Sequence, residues 1–91
     1  MAIGMYFTPT GFTKDKYDTA IRKLEDAGAG SPPGRTYHVA LETPDGIAVY
    51  DTWESQDEFN KWGETLMPIL AAKGIDPGEP LVEPVHSIIF P

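Results

Sequence analysis

The chain starts with an almost continuous run of apolar and aromatic residues, after which the hydrophobic positions take the spacing of a helix. The run over Ala2–Thr8 predicts a β-strand, which a turn cluster follows. An amphipathic helix with Thr13 as its N-cap is predicted next, ending at Gly28. After a loop rich in glycine and proline, a second strand is predicted over Thr36–Glu42. The apolar stripe of the helix consists of Tyr17, Ala20, Ile21, Leu24 and Ala27.

The same order of elements then repeats. A hairpin turn precedes the third predicted strand, Ile47–Trp53, and a capping box opens a second amphipathic helix at Ser55. This helix is expected to end at Gly74, with a kink or a restart at Pro68, because proline lacks the amide hydrogen that an interior helical position donates. The fourth strand is predicted over Leu81–Phe90.

The two halves correspond at several positions, including Tyr6 with Tyr50 and His38 with His86. Two β-α-β units in tandem predict the ferredoxin-like order β-α-β-β-α-β. This is an α+β fold in which a four-stranded antiparallel sheet carries two helices on one face. With 91 residues the chain is expected to form a single domain over residues 1–91.

A domain of this size and architecture leaves the second face of its sheet without cover. The chain has no cysteine, so no disulfide compensates for the small core. Self-association is the remaining stabiliser, and a homodimer is therefore expected.

The net charge of the chain limits the kinds of partner that it can bind. The 14 acidic side chains against 7 basic ones give a formal net charge of −7, which repels phosphate backbones and anionic lipids. No apolar stretch approaches the roughly 20 residues of a membrane span, and the start lacks the features of a signal peptide. Neither nucleic acid nor a membrane is an expected partner, and a cytoplasmic location is predicted.

Two functions known for this order of elements do not fit the residues. RNA-recognition modules carry stacking aromatic residues and a basic residue on the third strand. That strand has one aromatic residue and no lysine or arginine over Gly46–Asp51. A copper chaperone would need a Cys-x-x-Cys motif, and the chain has no cysteine.

Each half places a histidine in its second predicted strand, and these are the first candidates for chemistry. Strand alternation puts His38 on the face of Thr36 and Ala40, and His86 on the face of Pro84. The symmetry of the halves predicts that both imidazoles point to one side of the sheet. Histidine titrates near neutrality, so both are candidate general acids or bases. The alternative is that each is structural, hydrogen-bonded to the backbone or to a partner subunit.

Asp51 is a charged residue within the apolar third strand, where an unpaired carboxylate is costly to bury. It is expected either to pair with His38, His86 or Arg35 as an orienting group, or to lie in water at the strand end. A metal site built from the two histidines and a carboxylate has no ligand spacing that matches a known motif. No metal or other cofactor is therefore predicted.

Four aromatic side chains could line an apolar ligand pocket, namely Tyr6, Tyr50, Trp53 and Trp62. The candidates for shaping it are Tyr6, Tyr50 and Trp62. Ordinary core packing is the alternative, above all for Trp62, which lies on the apolar stripe of the second helix. Trp62 can serve both purposes if its helix borders the cavity.

Several short motifs resemble those of the dimeric α/β-barrel superfamily, which includes the antibiotic-biosynthesis monooxygenases. The stretch Val49–Ser55, with Phe59 and Trp62 after it, is similar to the third strand and second helix of these proteins. The chain is most similar to small uncharacterised members, which have Pro-Pro-Gly before a strand histidine, a proline in the second helix and Pro-Val-His in the last strand. The matching residues are Pro32, Pro33 and Gly34 with His38, Pro68, and Pro84, Val85 and His86.

The resemblance implies a homodimer in which two sheets face each other and close a barrel around a small apolar or aromatic ligand. Some members of the superfamily oxidise phenolic or quinol substrates without a bound metal or flavin. The haem-degrading branch fits less well, although it has a tryptophan at the position of Trp62. Its axial histidine is missing from Met67–Lys73 and its strand-one asparagine from Met5–Phe7.

The function predicted from these observations is that of a small-molecule-binding dimeric α/β-barrel protein. Its leading activity is a cofactor-independent monooxygenase or isomerase of an aromatic, polyketide-like substrate. The three aromatic residues would shape the pocket, His38 and His86 would transfer protons, and Asp51 would orient them. The alternative is a non-enzymatic binding or assembly domain whose histidines serve the dimer interface. A roomy cavity that holds both imidazoles would favour the enzyme, and a filled barrel centre would favour the assembly domain.

Overall fold

The structure, a computed structural model, describes residues 1–90 and has the order of elements that the sequence predicts. The elements are β1 (Ile3–Phe7), α1 (Lys14–Asp26), β2 (Arg35–Thr43), β3 (Gly46–Trp53), α2 (Gln56–Ala72) and β4 (Leu81–Pro84). The strands pair in one antiparallel sheet in the order β2-β3-β1-β4. The prediction of a ferredoxin-like fold is confirmed.

Local chemistry starts and ends the two helices as predicted. The side chain of Thr13 accepts a hydrogen bond of 3.2 Å from the backbone N–H three residues later, and Ser55 accepts one of 3.3 Å in the same way. A glycine with positive φ follows each helix, 75° at Gly28 and 67° at Gly74. Glycine adopts this conformation without steric cost and so stops the helix there.

The second helix does not restart at Pro68 but runs through it without interruption. Leu66 and Leu70, on either side of the proline, are both buried in the core. Tertiary packing of the apolar stripe therefore holds the helix together where the proline removes one backbone hydrogen bond.

The last strand is shorter than predicted and ends at Pro84 rather than at Phe90. Its neighbour in the sheet is β1, and the first residue of β1, Ile3, lies opposite Pro84. One further backbone hydrogen bond joins Val85 to Ala2 at 2.9 Å. Residues 86–90, the rest of the described chain, pair with no strand.

The two faces of the sheet have different environments. The face that packs against the helices, which we call the helix face, carries the core, with Met5 at 1% and Trp53 at 0% exposure. Alternate residues of the same strands point to the other side, which we call the open face. Tyr6 and Tyr50 lie there with their ring centroids 6.5 Å apart.

Neither helix within residues 1–90 is long and apolar enough to cross a membrane. The cytoplasmic location stays a prediction.

Candidate active site

A histidine and an aspartate pair across neighbouring strands on the helix face. His38 of β2 lies opposite Asp51 of β3 in the antiparallel register, and its ring atom Nδ1 is 2.5 Å from the carboxylate Oδ1. The side chain of Asp51 is 2% exposed and that of His38 is 19% exposed. The structure thus brings Asp51 to one of its three predicted partners.

A tyrosine from α1 extends this pair to a row of three side chains. The hydroxyl oxygen of Tyr17 is 2.7 Å from Nε2 of His38. The two rings are nearly parallel, with an interplanar angle of 8° and centroids 6.0 Å apart. Phe12 packs edge-on against Tyr17 at 5.9 Å. We call Tyr17, His38 and Asp51 the Tyr-His-Asp array.

The partners in the array determine where the protons lie when the imidazole is neutral. An ionised carboxylate only accepts hydrogen bonds, so Nδ1–H of His38 donates to Asp51 and Nε2 keeps a lone pair. The hydroxyl of Tyr17 donates its proton to that lone pair. His38 is therefore a proton acceptor that a buried carboxylate orients, which is the arrangement that general base catalysis uses.

Burial raises the pKa of the Tyr17 hydroxyl above its ordinary value, because the interior solvates a phenolate poorly. The negative charges of Asp51 and Asp18 act in the same direction, and the positive charge of Arg35 opposes them. Tyr17 is thus protonated at neutral pH and donates its hydrogen bond to His38.

The array borders a cavity of about 60 Å³ between the sheet and the two helices. The remaining lining is almost wholly apolar and comes from the strands, the helices and the loops that follow β1 and α2. Such a cavity suits an apolar molecule. The apolar lining includes Phe7, Ile21, Leu24, Val49, Trp62 and Leu66.

Of the three aromatic residues predicted to line a pocket, Trp62 borders this cavity. Its indole N–H donates a hydrogen bond of 3.0 Å to the backbone oxygen of Ala29. The guanidinium carbon of Arg35 lies 5.3 Å from the ring centroid, which is a cation–π distance. Trp62 also packs against Trp53 at 5.3 Å. It serves both core packing and cavity lining.

Tyr6, Tyr50 and His86 lie on the open face instead. They border a separate groove of about 390 Å³ beside the segment that follows β4. His86 is exposed and lies beyond the end of β4. The prediction that both histidines point to one side of the sheet is therefore wrong, because His38 faces the helices. The structure separates the six predicted site residues into two groups on opposite faces.

The predicted alternation in β2 also fails near its start. The register of β2 on β3 shifts between Arg35 and Tyr37. The hydroxyl of Thr36 lies 2.7 Å from that of Thr52, which belongs to the open face. Thr36 and His38 therefore do not share a face, because an extra residue in a strand disturbs the alternation of its side chains.

Tyr17 is the member of the array that sequence analysis did not single out. The hydrophobic pattern assigned it to the apolar stripe of α1, and its contact with Phe12 agrees with that assignment. The sequence did contain one indication of this role, namely a tyrosine on the apolar stripe of α1. A buried tyrosine hydroxyl requires a hydrogen-bond partner, so a polar contact of Tyr17 could have been predicted.

Over residues 1–90, no three histidine, cysteine, aspartate or glutamate side chains are arranged to hold a metal ion. The Tyr-His-Asp array supplies two side chains of these types. That the protein works without a cofactor stays a prediction.

No protein-family model and no curated protein sequence matches the chain, but solved structures do. A candidate antibiotic biosynthesis monooxygenase from Chloroflexus aurantiacus is similar with a TM-score of 0.65 and 22% identity over 97% of each chain. SnoaB, a cofactor-independent oxygenase from Streptomyces nogalater, has a TM-score of 0.62 and 16% sequence identity over 97% of this chain and 94% of its own. A monooxygenase of Streptomyces coelicolor in complex with Nanaomycin D has a TM-score of 0.52 and 19% sequence identity over 99% of this chain and 91% of its own.

The structural neighbours are thus proteins like the antibiotic-biosynthesis monooxygenases, together with proteins of unknown function such as one from Nitrosomonas europaea. At this level of identity the likeness establishes the fold, which is that of the dimeric α/β-barrel proteins. The resemblance that the sequence motifs indicated is confirmed at the level of the fold.

Proposed function

We propose that the protein binds a small aromatic molecule beside the Tyr-His-Asp array and acts as a cofactor-independent monooxygenase of a phenolic, polyketide-like substrate. The observation that carries the proposal is an imidazole oriented by a carboxylate in an otherwise apolar cavity. Such a site favours a ligand with an apolar body and one ionisable hydroxyl. Support for this class also comes from the neighbours named as oxygenases, one of which holds Nanaomycin D.

The chemistry requires only a proton transfer from the protein. Removing the proton of a phenol leaves an electron-rich phenolate, which can reduce molecular oxygen itself. When a phenol becomes a quinone, one atom of O₂ becomes the carbonyl oxygen on the attacked ring carbon and the other leaves as water. That water takes the hydrogen atoms of the hydroxyl and of the attacked ring carbon. All electrons that oxygen accepts come from the substrate, so the balance needs no external reductant.

His38 is the proposed general base, and Asp51 is the group that orients it. Because Asp51 accepts a hydrogen bond from Nδ1, it also stabilises the imidazolium that forms when His38 takes a proton. A positioned base of this kind contributes about 10²–10⁴-fold to a rate. The same transfer would serve an isomerase that converts an enol to a ketone, and oxygen uptake separates the two activities.

The cavity has to widen to admit an aromatic ring, because about 60 Å³ accommodates only a few water-sized molecules. Pro9 in the loop after β1 borders the cavity, as do Ile75 and Pro77 in the loop after α2. Loops move more readily than packed strands and helices. The proposal therefore places ligand entry between these two loops.

Two measurements test the proposal. Titration with naphthol should quench the tryptophan fluorescence in a saturable manner, because Trp62 borders the cavity. An oxygen electrode should record uptake with dihydroxynaphthalene in the purified protein, above the rate of the compound in buffer.

The variant His38→Gln should reduce this uptake by about 10²-fold or more and retain the quenching. The same substitution at the other histidine, His86→Gln, should leave the uptake unchanged, because His86 lies on the open face. Unchanged uptake in His38→Gln, or no quenching in the wild type, would contradict the proposal.

A second candidate function is assembly through the open face without catalysis. Four large apolar side chains on that face are exposed, namely Tyr37 at 54%, Leu41 at 43%, Tyr50 at 37% and Leu81 at 62%. The proposal is a homodimer in which two open faces meet, with His86 at the interface. A dimer is compatible with either function, so ligand binding in the cavity on the helix face distinguishes them.

A further inference from the structure

Trp62 forms part of the wall of two separate spaces. One is the cavity of about 60 Å³ beside the Tyr-His-Asp array. The other is a groove of about 200 Å³ between α2 and the loop that follows α1, which we call the outer groove. The other residues that line the outer groove are Gly28, Ala29, Pro32, Pro33, Glu58, Lys61 and Thr65. Of all the residues that the structure describes, only Trp62 borders both spaces, so its indole is the one side chain whose movement changes both.

The position of Trp62 on α2 explains why it borders both spaces. Phe59 and Leu66, three residues before it and four after it, are buried in the core. Glu58 and Thr65, four residues before it and three after it, line the outer groove. Residues three or four apart lie on the same side of a helix, so Trp62 lies where the core side of α2 meets the groove side. Aromatic side chains in helices use χ1 rotamers of about 180° or −60°, and a change of rotamer would turn the indole from the cavity wall into the outer groove.

We propose that Trp62 is a movable wall of the cavity, and that a planar aromatic ligand of two fused rings binds in the place that its indole leaves. This inference rests on the proposed function, because it concerns the same cavity. Entry between the loops after β1 and α2 admits the ligand, and the movement of Trp62 supplies the volume that a cavity of about 60 Å³ lacks. An indole is itself two fused planar rings, so the place it leaves matches a ligand of that shape. Trp62 then decides how large a ligand the protein accepts.

The groups around the indole favour an aromatic ligand in its place. The guanidinium carbon of Arg35 lies 5.3 Å from the centroid of the Trp62 ring, and the ring of Trp53 packs against it with centroids 5.3 Å apart. Phe59 packs edge-on against it at 6.1 Å. A cation–π contact requires the face of an aromatic ring, and aromatic rings pack favourably with one another in tilted and edge-on arrangements. A saturated ligand of the same size would lose these interactions.

The outer groove offers the displaced indole replacements for contacts that it loses. The single N–H of the indole donates to the backbone oxygen of Ala29 at 3.0 Å in the structure. The outer groove contains the carboxylate of Glu58, a hydrogen-bond acceptor, and Pro32 and Pro33, which present apolar surface. The aromatic packing that the indole gives up is remade by the ligand. The displacement therefore lowers the affinity for the ligand without preventing its binding.

The chain contains two tryptophans, so the movement of one can be followed against the other. Protein labelled with 5-fluorotryptophan should give two fluorine NMR resonances, which Trp53→Phe and Trp62→Phe assign. Saturation with naphthol, which has two fused rings, should shift the Trp62 resonance and make it more sensitive to the exchange of water for D₂O. The outer groove is accessible to water, because Pro33 and Lys61 on its wall are exposed. The Trp53 resonance, from a side chain at 0% exposure, should stay insensitive to the solvent.

Removing the wall should make binding tighter. Trp62→Leu should bind naphthol about tenfold more tightly than the wild type in equilibrium dialysis, because the ligand no longer has to displace the indole. The matched control is Ile47→Ala, which shortens a residue of the same buried core that borders neither the cavity nor the outer groove. Its affinity should stay within about twofold of the wild type. Circular dichroism checks the fold of both variants. If Trp62→Leu does not fold, Trp62→Phe, which keeps one ring, takes its place.

Each outcome decides the proposal. A Trp62 resonance whose solvent sensitivity does not change while naphthol binds would overturn the movable wall and leave the cavity as a ligand site, so that the proposed function stands. Equal affinities of the wild type and Trp62→Leu would also overturn the movable wall alone. A wild type that binds no naphthol would overturn both the movable wall and the proposed function.

Discussion

His38 and Asp51 face each other across β2 and β3, on the side of the sheet that the helices cover, with 2.5 Å between their side chains. A slip of β2 by one residue against β3 would turn His38 to the open face and leave Asp51 on the helix face without its partner. The register is therefore tied to the pairing of a buried carboxylate that would be costly to leave alone. One interaction both supports the sheet and creates the candidate base.

The stability of the protein should depend on this pair as a unit. Replacing His38 with alanine should lower the free energy of unfolding by about 1–3 kcal/mol, because Asp51 would stay buried without its hydrogen-bond donor. Adding Asp51→Leu to that variant should recover part of the loss, since no unpaired charge remains. Urea denaturation measures both effects. A double variant that is no more stable than His38→Ala alone would show that the two residues do not act together.

Tyr17 should make the protein sensitive to alkaline pH. Its pKa is raised above the ordinary value of 10.0, so the folded state holds the proton more tightly than the unfolded state. The resulting stabilisation is complete below pH 10.0 and is lost as the pH rises through the higher value of the folded state. Above pH 10.0, the free energy of unfolding should thus fall more steeply in the wild type than in Tyr17→Phe. Tyr37→Phe should keep the slope of the wild type, and equal slopes in all three proteins would refute the effect.

The open face should be the site of self-association. Light scattering after gel filtration should give about twice the mass of the chain at micromolar concentration. Leu41→Glu should shift the protein to a monomer, because it places a charge among the exposed apolar side chains of this face. Gln56→Glu adds the same charge on an exposed site of α2 and should remain dimeric. A wild type that elutes as a stable monomer would rule out the dimer.

Haem should not bind in the manner of the haem-degrading branch of the superfamily. Met67–Lys73 of the second helix region contains no histidine to serve as the proximal ligand. Titration with haemin should give no sharp Soret band of a histidine-ligated complex. A band that appears in the wild type and vanishes in Trp62→Ala or His38→Ala would contradict this expectation.

The fold was predictable because the signals for it are local. Strand and helix periods, the caps at Thr13 and Ser55, and the glycines after each helix depend on neighbouring residues alone. The internal repeat then leaves few arrangements for two β-α-β units. The pairing of Asp51 with His38 was also among the options that the sequence offered, since a buried carboxylate needs a nearby donor.

What the sequence determined by itself was therefore the order of elements and the need of Asp51 for a partner. The tertiary structure decided which face each histidine occupies, because the end of β4 depends on where β1 begins and the alternation in β2 depends on its register with β3. It also decided the role of Tyr17, which lies 21 residues from His38 in the chain. Only the packing of α1 on the sheet brings that hydroxyl to the imidazole, and no periodicity within the helix encodes the contact.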